Sequence, residues 1–184
     1  MNLNKWYEKG KAPEAYEETL TNHKEAFEHI YKTLKLPEDA AFLKELAEKN
    51  IRILILAEPW CAHCMLNIPI LLRIAEHAEV PVRILHRDEN LELMDQHLTN
   101  EKPRSIPIFL ILNEAGDLIG KWGPVANTTK QFVDPYKEKL PAKDDPYYEK
   151  SFKYFASTVS EEFRNREHLW QGVYESIKQT LQSI

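Results

Sequence analysis

Cysteine is nearly absent: the 184 residues contain two, Cys61 and Cys64. That scarcity rules out a disulfide framework of the kind that staples small secreted domains. Long apolar runs are absent too. No stretch of about 18 apolar residues occurs, so no membrane-spanning helix is expected. Charge of one sign is never concentrated. The 24 Lys and Arg against 29 Asp and Glu give a net charge of −5. No block of about five like charges marks a nucleic-acid footprint. The first twenty residues carry Lys5, Glu8, Lys9, Lys11, Glu14, Glu17 and Glu18, which leaves no apolar core for a secretory signal. The expectation is a cytoplasmic protein with neither membrane nor nucleic acid as a partner. Its length suffices to bury a core without covalent help.

What is present is concentrated. Both cysteines fall in Trp60-Cys61-Ala62-His63-Cys64. Ahead of them, Ile51, Ile53, Leu54, Ile55 and Leu56 form a short branched apolar run suited to a buried strand, and Pro59 ends it. Behind them, Met65, Ile68, Leu71, Leu72 and Ala75 follow a helical period, with Pro69 expected to kink the helix. Residues 81–86 read as a second strand. Asp88 or Asn90 is expected to cap a helix carrying Leu91, Leu93, Met94 and Leu98. Residues 107–112 and 118–122 read as a hairpin turning at Gly116.

The flanks are helical in pattern. Phe27, Ile30, Tyr31 and Leu34 recur at helix spacing, as do Phe42, Leu43, Leu46 and Ala47, with Leu36-Pro37 between them. Near the other end, Phe152, Phe155, Val159, Phe163, Trp170, Val173, Ile177, Leu181 and Ile184 lie on one stripe. A single helix from Tyr148 to Leu181 would be about 50 Å long. It is expected to break or bend, at Arg164–Glu167 or at Gly172. Three parts are expected: a helical N-terminal extension over 1–50, an α/β core over 51–125 and a helical part over 126–184 packing on the core.

The chemistry of the cysteine pair follows from its place at a helix start. Unpaired backbone amides and the positive end of the helix dipole stabilise a thiolate there. Cys61 is therefore expected to be the nucleophile and Cys64, one turn further in, the resolving thiol. His63, as an imidazolium or an N–H donor, is expected to stabilise the Cys61 thiolate and make the pair more oxidising. Trp60 is expected to pack beside the sulfurs and keep water from one side. The other histidines show no ligand spacing and are expected at the surface.

The order strand, Trp-Cys-X-X-Cys, helix, followed by Ser105-Ile106-Pro107 opening a hairpin and Gly123 closing it, resembles the thioredoxin family. The resemblance covers about residues 51–125. The Arg87-Asp88-Glu89-Asn90 turn, the Trp122-Gly123-Pro124 end and the helical flanks look like a bacterial cytosolic thioredoxin-like branch. It implies a βαβ-α-ββ core, a mixed four-stranded sheet flanked by helices, and thiol–disulfide exchange with no bound organic cofactor. The partners it implies are a protein or low-molecular-weight thiol or disulfide and an electron donor or acceptor. It also implies a cis bond at Pro107 and a substrate groove along Ile106 and Pro107. The chain departs from thioredoxin itself in two places. Ala62-His63 replaces Gly-Pro, and Ile55 stands where a buried aspartate is found, leaving Glu58 as the nearest carboxylate in sequence. Two other readings of the same residues stay open. One is a metal or iron–sulfur module, which would need a second chain because two thiolates do not complete a four-ligand shell. The other is a redox-inert interaction module.

Overall fold

The computed structural model describes all 184 residues. The N-terminal part forms four helices: α1 (Asn4–Lys9), α2 (Pro13–Glu17), α3 (Lys24–Thr33) and α4 (Ala40–Glu48). The central part holds β1 (Arg52–Ala57), α5 (Ala62–His77), β2 (Val82–His86), α6 (Leu91–Met94), β3 (Ile108–Leu112) and β4 (Leu118–Trp122). Three further helices follow: α7 (Asn127–Lys137), α8 (Tyr148–Asn165) and α9 (Glu167–Gln182).

The sheet order is β2-β1-β3-β4. β1 pairs with β2 in parallel and with β3 antiparallel, and β4 extends the sheet antiparallel to β3. β1 and β3 are buried on both faces, which is why they read as unbroken apolar runs rather than alternating ones. Ala57 pairs with His86, and Leu56 pairs with Ile108. The ends of β1 and β2 and the start of β3 therefore share one edge, and the cysteines are delivered to it.

The first eleven residues bind both outer strands. The Leu118 amide donates to the Met1 carbonyl and the Leu3 amide to the Gly116 carbonyl. Lys11 and Ile84 exchange two backbone hydrogen bonds, at 2.8 and 2.9 Å.

Helix α5 continues through Pro69. It packs against α3, α8 and α9. The C-terminal stripe does break, at Arg166, whose extended backbone separates α8 from α9. The Trp170 indole donates to the Phe163 carbonyl at 2.7 Å and fixes that corner. Gly172 is not a break. It lies inside α9, where an added Cβ would come within 2.6 Å of the Thr128 hydroxyl on α7.

Four expectations need correction. Phe152 is 43 % exposed, because the stripe meets the core only from Phe155, which is half-buried, and is buried from Val159 to Leu181. The helix expected to reach Leu98 stops at Met94, preceded by a 3₁₀ turn over Arg87–Glu89. Asn90 turns its side-chain amide back to the His86 carbonyl instead of capping that helix. His97 is buried, not at the surface.

Candidate functional site

Cys61 is the N-cap of α5. Its backbone is extended, so its Sγ turns back over the first helical turn and accepts the Cys64 amide at 3.2 Å. The same thiol donates to the Ile106 carbonyl at 3.6 Å. Both cysteines are free thiols. Cys61 is 8 % exposed and Cys64 1 %, so what access there is belongs to Cys61.

Their environments separate their acidities. The Cys64 thiol, hydrogen-bonded to Cys61, pulls the Cys61 pKa below the ordinary thiol value; the amides of Cys64 and His63 and the Arg87 cation act in the same sense against burial. Burial pushes the Cys64 thiol well up, and the neighbouring Cys61 adds to it.

His63 does not occupy the role expected of it. Its ring has no hydrogen bond to Cys61 and turns to Phe163 on α8, with centroids 5.2 Å apart. Burial first, and the nearby Lys137 charge second, push its pKa down to about 4. The imidazole is therefore neutral at pH 7, and what His63 offers Cys61 is its backbone amide. Its Nδ1 is buried without a partner.

Trp60 is also placed differently from the expectation. It is 58 % exposed, in the position just before the thiol. The Arg87 guanidinium lies 5.2 Å from its ring centroid. The Ile106–Pro107 bond is cis, and so is Gly123–Pro124. Gly123 has φ +114°, and an added Cβ there would lie 2.3 Å from the Pro107 carbonyl oxygen. Only glycine permits that approach, so the end of β4 braces the Pro107 segment from behind.

Glu58 is buried, yet its carboxylate makes no hydrogen bond to Cys64. One oxygen accepts the Asp88 amide at 2.7 Å and the other stands 3.7 Å from His86 Nδ1. The N-terminal helices reach this loop as well. The Tyr16 hydroxyl donates to the Glu58 carbonyl at 3.1 Å, and His23 Nε2 lies 3.2 Å from the Trp60 carbonyl. Tyr16, His23 and Phe163 all escaped the reading of the motif because they lie far from it in sequence. Arg87 had a legible signal: it follows a strand that ends beside the cysteines. No group of three or more His, Cys, Asp or Glu side chains is placed to hold a metal ion.

The thioredoxin family model matches residues 10–138, well over half of the chain and wider than the core that carries the motifs. The chain belongs to the thioredoxin family. Among solved structures it is similar to an HIV epitope-scaffold protein, at 16 % identity and TM-score 0.69 over 100 % of this chain and 99 % of that one. It is also similar to a protein of unknown function from Pseudomonas aeruginosa, at 19 % identity and TM-score 0.65 over 97 % and 98 % of the two chains. At these identities the likeness is one of fold, and it includes the helical ends on either side of the thioredoxin core. No curated protein matches the chain.

Proposed function

We propose that the protein is a thiol–disulfide oxidoreductase acting on a protein or low-molecular-weight disulfide. The observation that carries the reading is the Cys61 thiol at the helix N-cap, accepting the Cys64 amide and less buried than Cys64. In the reducing direction the Cys61 thiolate attacks one sulfur of the substrate disulfide. A Cys61–substrate disulfide forms and the other substrate sulfur leaves as a thiolate. Cys64, after losing its proton, attacks the Cys61 sulfur and expels the second substrate thiolate. The protein ends with a Cys61–Cys64 disulfide and the substrate gains two electrons. A separate dithiol must return the pair to the reduced form, and the same steps reversed oxidise a dithiol. No bound organic cofactor is required.

The substrate would lie along Ile106 and Pro107, with Trp60 as the opposite wall. The 3.6 Å contact between Cys61 and the Ile106 carbonyl supports that placement. The low acidity of Cys64 supports its role as the second, proton-limited attacker. A metal module would have only Cys61 and Cys64 to work with. A redox-inert module would have no use for a thiol held by helix-start amides.

Reduction of insulin or exchange with glutathione disulfide tests the reading. Activity that disappears in Cys61→Ser is the expected result. An inert wild type, or a Cys61→Ser variant as active as wild type, overturns it.

A further inference from the structure

Arg87 is the first residue beyond β2, and its charge favours the Cys61 thiolate. Three of its contacts are directional. Nε and Nη2 each lie 2.8 Å from Asp88 Oδ1, and Nη1 donates to the Arg104 carbonyl at 2.7 Å. The guanidinium carbon lies over the Trp60 ring, 5.2 Å from its centroid. Trp60 precedes the nucleophile, and Arg104 stands two residues before Ile106. One side chain thus joins the residue before the nucleophile to the segment that leads into Ile106 and Pro107. Its foot is fixed in turn: the Asp88 amide is held by the buried Glu58 carboxylate at 2.7 Å. Arg104 itself is turned away by a two-point ion pair with Asp95, at 2.6 and 2.8 Å, so only its backbone takes part.

We propose that Arg87 is a positioning residue that ties the Trp60 wall to the 104–107 segment and so sets preference for extended peptide disulfides over small ones. The inference rests on the thiol–disulfide reading. Its physical basis is the planar fork of arginine, which holds a carboxylate, a carbonyl and an aromatic face at once. A lysine has the charge but not the fork. An extended peptide must fit between both walls while its disulfide meets Sγ in line. A small symmetrical disulfide needs only the sulfur. Loosening one wall therefore penalises the peptide selectively.

The test compares Arg87→Lys and Arg87→Met with wild type on two substrates: bis(2-hydroxyethyl) disulfide and a short linear peptide bearing one disulfide. The ratio of peptide to small-disulfide kcat/KM should fall about tenfold in both variants, mainly through peptide KM. The pH profile of Cys61 alkylation separates the two properties of Arg87. Its midpoint should rise in Arg87→Met, where the charge is gone, and hold in Arg87→Lys, where a cation remains. A ratio unchanged in Arg87→Lys overturns the inference and leaves the exchange reading standing. A wild type inert toward both disulfides overturns the exchange reading and the inference with it.

Discussion

The His63 ring lies against Phe163, 5.2 Å between centroids, which joins a residue from between the cysteines to the C-terminal helices. Because burial lowers its pKa to about 4, the folded protein binds His63's proton less readily than the unfolded chain, where the value is about 6.5. The unfolded state then gains protons first as pH falls, so stability is lost between about pH 6.5 and 4. From pH 7 to pH 5 the loss from this one group should be about 2 kcal/mol. His63→Leu should flatten that part of the profile. Denaturant melts of both proteins at several pH values measure the difference, and parallel profiles would show that His63 does not titrate with folding.

Phe163→Ala tests the other side of the same contact. Phe163 is fully buried, so its truncation should cost about 3–5 kcal/mol. The His63 pKa should climb toward about 6.5 as water reaches the ring. A ring-proton NMR titration reads the pKa directly. A value still near 4 would mean that Phe163 is not what buries the ring.

Cys64→Ala removes the largest contribution to the low pKa of Cys61, the hydrogen bond from the Cys64 thiol. The Cys61 thiolate should therefore form at higher pH in the variant. In wild type, alkylation near neutral pH should label Cys61 before Cys64. Thiolate absorbance against pH and mass mapping of the labelled protein check both statements. Labelling of Cys64 first would reverse the roles.

Gly123→Ala should destabilise the fold by about 2–4 kcal/mol, because a φ of +114° and a 2.3 Å approach to the Pro107 carbonyl leave no room for Cβ. The strand end must shift, and Pro107 with it. Denaturant unfolding measures the first effect. Slower disulfide exchange in the surviving folded fraction measures the second, and a fully active, fully stable variant would remove the bracing role of Gly123.

Residues 51–122 were legible because each element announces itself locally: branched runs for β1 and β3, a helical period after Cys61, a glycine at the hairpin turn. The break in the C-terminal stripe was legible for the same reason, as a gap in periodicity at Arg164–Glu167. What the pattern hid was direction. The sequence places His63 between the thiols, yet the first turn of α5 points its ring away from Cys61 and toward α8. The short helix at Leu91 was overextended because Leu98 continued the apolar count after the backbone had already turned. Tyr16 and His23 gave no signal, since only the folded chain brings α2 and the start of α3 to the backbone of Glu58 and Trp60. Glu58 was visible as a carboxylate near the motif, but its use as an acceptor for the Asp88 amide depends on how β1 and β2 end side by side.

The first eleven residues give the sheet a property that neither the motif nor the core supplies. Met1 and Leu3 bond to the hairpin side of the sheet, and Lys11 bonds to the outer edge of β2. Unpaired strand edges are templates on which a second chain can build, in recruitment and in aggregation alike. Here one short segment occupies positions at both rims. A protein partner is thereby denied strand addition as a way of docking at those positions, by residues with no part in redox chemistry. Trimming them would uncover backbone groups at both rims while leaving the cysteines in place.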